Sequence, residues 1–472
     1  MTNDKNIRYD RQQRIQNWQQ ERLANAKIAI IGSGQLAQFT AASLVALGVG
    51  NVEIYCNEKV NGKEFLTFDS NGDDKSSLLE KKLHEMNPDA NVRSFKMESD
   101  DNILSLVDNP DIILELTNSS ELKEKIMEYA NAHNVKIISA STGKTGGELY
   151  FVKPGDDYSS AKLTKYDGEK QRTFTSEIFG GMITEEVRKI LMPLKEGEDA
   201  VKNLAYDATA EKRFSKEGDF DAQPFEDLSQ KRILIIGAGA LGNFVALGAT
   251  LEGIGKIDIL DFDEVEPHNL NRQIMFYDAV GKKKSLALAE KIKQINPDIE
   301  VKGLVEKLDE NTTYFLNNNP DLILDCVDNF ATRAITNYFA VHYGIPLVSG
   351  GTNSNSGQVV VYEPGQSACL ECKLGVEQAL GVALQGSKCT DAPNPSVIMT
   401  NEIIGGMMVG EALKVLDKGY GTSVSRILKY DSTAPVRGGL IGASNACECS
   451  RGEIKEWLQG VKEMFSLAKD EK

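Results

Sequence analysis

The sequence predicts an α/β protein built from two doubly wound, Rossmann-like halves. A collinear internal repeat, a glycine turn at the start of each copy, and strand-like runs alternating with helical stretches carry that reading. Residues 27–34 read KIAIIGSG and residues 232–239 read RILIIGAG. GNVEI at 50–54 matches GKIDI at 255–259, NPDA at 87–90 resembles NPDI at 296–299, and PDIILEL at 110–116 matches PDLILDC at 320–326. SASTGKTGGELYFVKPG at 139–155 matches SGGTNSNSGQVVVYEPG at 349–365. TSEIFGGM at 175–182 matches TNEIIGGM at 400–407, and LAYDAT at 204–209 matches LKYDST at 428–433. Chance supplies one such match, not a series in constant order. In each copy a short apolar run meets a glycine turn and then a helical pattern, and later stretches such as Lys284–Ile295 are again helical. That alternation builds βαβ units, hence a mainly parallel sheet with helices on both faces. The expected order is a first half at 1–210, a polar connection at 211–230, a second half at 231–449 and a helical tail at 450–472.

The bulk numbers narrow the function. The 472 residues carry a net charge of −16, which argues against a general nucleic-acid binder. The N-terminus, MTNDKNIRYDRQQ, lacks the apolar core of a signal peptide. The most membrane-like stretch, 233–254, carries Asn243, Glu252 and several glycines, so it reads as strand, turn and packed helix. Seven cysteines are an odd count, and four fall in short-spaced pairs. Metal binding or thiol chemistry in a reducing compartment fits them better than a disulfide framework, so a soluble cytoplasmic protein is expected. With only four histidines, His-based catalysis is not the first expectation.

The chemistry concentrates in the second copy. Gly237, Gly239 and Gly242 are spaced G-x-G-x-x-G between a predicted strand and a predicted helix. Such a turn lets a phosphate approach backbone N–H groups at a helix N-terminus. Asp261 ends the next strand, where an acid bonds a ribose hydroxyl. Beyond it, LDFDEVEPHNLNRQIMFYDAVGKKK places Asn269, Arg272, Gln273 and Lys284. A hydride-transfer enzyme has no use for two cations and two amides there. An enzyme that expels pyrophosphate does, because negative charge builds on the phosphates in the transition state. Asp328 follows another predicted strand and suits Mg²⁺. Taken singly each of these charges reads as a solvated surface residue; five polar groups on consecutive strand ends do not. The first copy has Gly32, Gly34 and Ala37 in its turn, Cys56 in place of Asp261 and Asn118 in place of Asp328, with Lys75 matching Lys284. It is expected to keep the fold and not the ATP site.

LDFDEVEPHNLNRQ followed by G-x-x-K and DCVDN resembles the ThiF/MoeB and ubiquitin-activating enzyme superfamily, over most of the chain and in two copies. RYDRQ at 8–12 resembles that family's N-terminal signature. The resemblance implies that Arg11 reaches into the other half's ATP site. The picture is an inactive and an active adenylation domain fused into a monomeric pseudo-dimer. It further implies that Asp261 binds ribose, that Asn269, Arg272, Gln273 and Lys284 hold the triphosphate, and that Asp328 positions Mg²⁺. The implied reaction is ATP-dependent adenylation of the C-terminal glycine of a ubiquitin-like or sulfur-carrier protein ending in Gly-Gly. A conjugating enzyme is a further implied partner, and neither nucleic acid nor membrane is.

Cys369 and Cys372 form C-x-x-C, and Cys447 and Cys449 form C-x-C. Four thiolates in two close pairs suit a structural tetrahedral Zn²⁺. The family usually carries two C-x-x-C pairs, so the shorter second pair is a departure. Cys389 stands in the loop GSKCTDAPNPS, and Cys-Thr followed by proline looks like the thioester cysteine of ubiquitin-like activating enzymes. A thiolate there takes the carrier from the adenylate; the alternative stops at the acyl-adenylate or makes a persulfide. Cys56 and Cys326 read as core. The span Cys372–Thr400 is too short for the large catalytic-cysteine domain of eukaryotic activators, and the short stretch after Cys449 for a ubiquitin-like domain. In the tail, Ile454, Trp457, Leu458, Val461, Phe465 and Leu467 recur at near-helical spacing. Two readings from other classes fit less well. A NAD-dependent oxidoreductase leaves Arg272 and Lys284 without purpose, and a non-catalytic scaffold does not explain the intact second half.

Overall fold

The computed structural model describes residues 7–56, 64–68, 74–96, 103–157, 159–161, 164, 166, 170–215, 227–309, 316, 318–384, 395–442, 446, 447, 449, 452, 453, 455–461 and 463. The first lobe holds strands β1 (Lys27–Ile31), β2 (Asn51–Cys56), β3 (Asn91–Lys96), β4 (Ile112–Glu115), β5 (Lys136–Thr142), β6 (Gly146–Val152) and β7 (Asn203–Asp207). The second holds β8 (Arg232–Ile236), β9 (Lys256–Leu260), β10 (Glu300–Leu304), β11 (Leu322–Asp325), β12 (Leu347–Thr352), β13 (Ser356–Tyr362), β14 (Ile427–Asp431) and β15 (Gly438–Ile441). The sheet orders are β3-β2-β1-β4-β5-β6-β7 and β10-β9-β8-β11-β12-β13-β14-β15. In each lobe the first five strands run parallel and the rest antiparallel. Their near-continuous Ile, Val and Leu runs are what a sheet covered on both faces requires. The two doubly wound sheets expected from the repeat are therefore present.

The helices that position the site are α1 (Asp10–Gln13), α2 (Gln35–Leu47), α3 (Lys75–Met86), α4 (Thr173–Leu191), α5 (Ala240–Leu251), α6 (Lys284–Ile295), α7 (Phe330–Tyr343) and α8 (Ile398–Leu416). Helices α2, α4, α5 and α8 are buried along nearly their whole length. They form one layer between the two sheets, and a single hydrophobic cluster runs through both lobes. Separate clusters cover the outer face of each sheet. The repeated Glu-x-x-Gly-Gly sequences sit where α4 and α8 cross. A Cβ on Gly181 would lie 2.8 Å from Met399 O, and one on Gly406 would lie 2.7 Å from Phe174 O. Only glycine permits that approach without backbone movement.

The crossing buries two carboxyls. Glu402 accepts from Ser43 Oγ at 2.6 Å, whereas both oxygens of Glu177 lack a hydrogen-bond partner. The difference lies in one residue, because the position matching Ser43 in the second lobe is Gly248, which offers no donor. Burial, and then the neighbouring Glu402, push the Glu177 carboxyl well above the usual carboxylate range.

Several segments read only coarsely from the sequence resolve as packed structure. Residues 211–215 start the expected connection, yet Arg213 is buried and pairs with Glu411 at 3.2 Å. Phe214 stacks near Tyr430 with ring centroids 6.2 Å apart. In the tail, residues 455–461 are helical, Leu458 and Val461 are buried, and Trp457 stacks on Tyr338 at 4.7 Å. No helix among the described residues is long and apolar enough to cross a membrane.

Candidate active site

Strand order changes direction around β8, with β9 on one side and β11 on the other. The crevice beyond the C-terminal ends of such strands is where ligands bind in open α/β sheets. The glycine turn lies there, and its three glycines have different reasons. Gly237 has φ +96° and passes 2.9 Å (measured from a built Cβ) from Cys326 O. A Cβ on Gly242 would strike Gly237 O at 2.0 Å, so this glycine closes the turn against α5. Gly239, which precedes α5, has nothing within 4 Å on its Cβ side. That open space at a helix N-terminus is where a phosphate can approach.

The matching space in the first lobe is filled by the chain itself. Gln171 Oε1 lies 2.7 Å from a Cβ built on Gly34 and accepts from Leu36 N–H at 3.2 Å. An amide oxygen thus occupies the place a phosphate oxygen would take at the N-terminus of α2. Lys75, the counterpart of Lys284, is buried and paired with Glu64 at 2.9 Å. The structural reason the first half differs is therefore occupation as well as substitution.

Around the open turn, Asp261 Oδ2 accepts from Ala238 N–H at 2.7 Å and Oδ1 from Asp263 N–H at 2.8 Å. Burial raises the Asp261 carboxyl above its ordinary value, partly offset by the Ala238 N–H and the Lys284 charge. Lys284 opens α6 and pairs with the half-exposed Asp263 at 2.9 Å. Asn269 is buried and its Oδ1 accepts from Glu266 N–H at 2.9 Å, capping a short 3₁₀ turn. Gln273 is buried with Oε1 unpartnered.

Arg272 is only 6% exposed. Its guanidinium donates to His268 O and to Asn271 Oδ1, both at 2.7 Å, and these acceptors are neutral. Among the described residues no carboxylate lies within ion-pair distance of it. Burial, then the Arg11 charge, lower it to about 10 in spite of Asp10 and Asp328 nearby. A buried cation with neutral partners keeps most of its desolvation cost until an anion arrives.

Arg11 comes from the other lobe and reaches this cluster. Its Nη2 is 3.4 Å from His268 Nε2, and its electrostatic neighbours include Glu266 and Asp328. Three further contacts seat the segment. Arg8 Nη1 donates to Leu270 O at 3.3 Å and to Met86 O at 3.2 Å, and Asn271 Nδ2 donates to Gln12 Oε1 at 2.9 Å. Arg11, Arg272 and Asp328 thus lie within electrostatic reach of one another, whereas Asn269 faces its own turn. The sequence reading passed over Gln12, His268 and Asn271. Gln12 and Asn271 lie inside the RYDRQ and NLNRQ segments and His268 immediately precedes the second, and that placement was the available signal. Arg333 was also passed over. It donates to Val327 O and Gly350 O, both at 2.7 Å, and sits 3.4 Å from Asp325, fixing the loop that carries Asp328.

The sulfur atoms of Cys369, Cys372, Cys447 and Cys449 lie within 4.8 Å of one another. Tetrahedral Zn²⁺ at the usual Zn–S length of about 2.3 Å needs sulfurs about 3.8 Å apart, so the four side chains fit such an ion. Both cysteines of the shorter C-x-C pair are in the cluster. Cys56 and Cys326 are buried. Cys389 lies outside the described residues.

Fold and site define a duplicated α/β protein with one open glycine turn and an arginine of the opposite lobe set against His268 of the lobe that carries it. The ThiF family model matches residues 9–221 and again 206–449, so the chain belongs to the ThiF family and carries its domain twice. It is 31% identical over 227 residues to ubiquitin-like modifier-activating enzyme 5 of Dictyostelium discoideum, covering 44% of this chain and 58% of that protein. It is 35% identical over 220 residues to the molybdopterin-synthase adenylyltransferase of Escherichia coli K12, covering 45% of this chain and 83% of that protein. Against the sulfur carrier protein ThiS adenylyltransferase of Bacillus subtilis 168 it is 34% identical over 194 residues, covering 40% of this chain and 55% of that protein. The chain thus spans less than two thirds of the Dictyostelium and Bacillus relatives. Escherichia coli MccB, solved with AMPCPP and MccA, matches 48% of this chain and 68% of its own at 22% identity, with a TM-score of 0.40.

Proposed function

We propose that the second lobe adenylates the C-terminal glycine of a ubiquitin-like protein ending in Gly-Gly and then holds it as a thioester on Cys389. The observation that carries this reading is Arg272, a buried guanidinium with neutral partners in the lobe that holds the open glycine turn. Gly237, Gly239 and Gly242 cradle the phosphates of ATP and Asp261 takes the ribose. Arg272, Lys284 and Arg11 neutralise the charge that builds as pyrophosphate leaves, with Asn269 and Gln273 in support. Lys284 can exchange its exposed partner Asp263 for phosphate at little cost. Asp328 would hold Mg²⁺, which when bound offsets phosphate charge. The carrier carboxylate, already ionised at neutral pH, attacks the α-phosphorus and the bond to pyrophosphate breaks. The Cys389 thiolate then attacks the acyl carbon and AMP leaves. Cys369, Cys372, Cys447 and Cys449 would hold Zn²⁺ as a staple for the tail. A conjugating enzyme would receive the carrier, and the chain would act as a cytoplasmic, monomeric pseudo-dimer.

A second reading, favoured by the names of the E. coli and B. subtilis relatives, is a sulfur-carrier adenylyltransferase that stops at the acyl-adenylate or forms a persulfide. Intact-mass measurement after incubation with ATP, Mg²⁺ and candidate Gly-Gly carriers separates the two. A carrier-sized, reductant-labile increase that disappears in Cys389→Ala supports the thioester. An AMP-bearing carrier with no enzyme adduct supports the second reading, and neither product rejects both.

A further inference from the structure

We propose that His268 is a positioning residue for Arg11, its unprotonated Nε2 accepting from the guanidinium and holding it at the mouth of the second-lobe site. This rests on reading that site as an ATP site. Arg11 Nη2 is 3.4 Å from His268 Nε2. Arginine has donors and no acceptor, so the contact is a hydrogen bond only while Nε2 carries no proton. The proton of the neutral ring then sits on Nδ1, which faces Glu266 Oε2 at 3.3 Å. The backbone of the same residue is engaged as well, since His268 O accepts from Arg272 Nη1 at 2.7 Å. One residue therefore touches both arginines, one through its ring and the other through its carbonyl.

The charged groups facing the ring are Arg11 and Asp10 from α1, and Glu266 and Arg272 from the second lobe; Asp328 faces the two arginines. Burial, then the Arg11 charge, lower the imidazole below its ordinary value, and Glu266 and Asp10 oppose them without prevailing. The ring is thus neutral at pH 7 and gains a proton only below the ordinary imidazole range. That proton removes the acceptor for Arg11 and places a third positive charge beside Arg11 and Arg272. Arg11 is displaced, and the fraction of molecules with a complete site falls.

The test is calorimetric titration of the full chain with AMPCPP and Mg²⁺ across pH, comparing wild type with His268→Gln and His268→Ala. Gln places an amide oxygen close to the position of Nε2 and does not titrate. One pH unit below the ring's own pKa, wild-type affinity should fall about tenfold relative to His268→Gln, because about a tenth of the molecules stay competent. The ligand's own phosphate titration is common to every protein and cancels in that ratio. His268→Ala should bind more weakly than His268→Gln at every pH, with an unchanged thermal midpoint excluding a folding defect. Parallel pH curves for wild type and His268→Gln overturn the proposal. So does wild-type affinity that rises in acid relative to His268→Gln, which would make the protonated ring a phosphate ligand. Failure of the ATP-site reading is a different result: no saturable AMPCPP binding by wild type at any pH.

Discussion

Arg272, Arg11 and Gln171 carry most of the functional argument at the scale of single residues. Replacing Arg272 by Ala removes a buried, pre-positioned charge, and carrier-dependent ATP–pyrophosphate exchange should fall by about 10²–10³-fold. Stability should hold or rise, since an isolated buried cation is costly; a melting curve read beside the exchange assay checks both. How much of this was legible in the sequence depended on the type of constraint. Gly237 and Gly242 were legible because a backbone turn that tolerates no side chain leaves its requirement in the residue identity. Arg272 and Asp328 stood out because they follow strands of a recognisable repeat in segments whose residue types the first copy lacks. Gln171 was not, because it fills the Gly34 turn from 137 positions further along the chain and nothing local marks it. The Gln12–Asn271 hydrogen bond spans 259 positions and is invisible for the same reason. Asp261 was expected from its position to bind ribose; its bond to the glycine turn through Ala238 N–H needed coordinates.

At the scale of elements, the crossing of α4 and α8 decides how the lobes meet. Gly406→Ala puts a methyl against Phe174 O, and chemical denaturation should show a loss of about 1–3 kcal/mol. Glu177→Gln should do the opposite. An acid whose folded pKa lies above its unfolded value stabilises the fold fully below the unfolded value and loses that contribution as pH rises through the folded one. The amide has no such loss. The advantage of Glu177→Gln over wild type should therefore grow with pH above about 4.3, by up to about 1.4 kcal/mol per pH unit until the folded value is passed. Denaturation series at several pH values read this directly, and a constant difference would contradict it. The four-cysteine cluster brings the C-terminal end of the second half, at Cys447 and Cys449, onto Cys369 and Cys372. Cys372→Ser should abolish stoichiometric zinc and weaken the Trp457–Tyr338 stack, read by metal analysis and tryptophan fluorescence.

At the scale of the whole molecule, the two copies of the domain have diverged at the glycine turn. The first lobe keeps the sheet order of the second over its first five strands, yet its glycine turn is occupied by Gln171 and its lysine is neutralised by Glu64. Titration with AMPCPP should therefore give one site per chain. The repeat made the two lobes legible, because a parallel sheet buried on both faces demands apolar runs at fixed places. The helical layer between them was not legible, since the apolar pattern of α4 and α8 fits any buried helix. Arg11 belongs to the lobe with the closed turn and contacts His268 of the lobe with the open one. The most direct test is therefore carrier-dependent ATP–pyrophosphate exchange by Arg11→Ala. Arg11 is partly exposed in a short helix, so the variant should fold with an unchanged melting midpoint. The predicted result is an exchange rate lower by about 10²-fold or more; exchange at the wild-type rate would contradict a site completed across the two lobes.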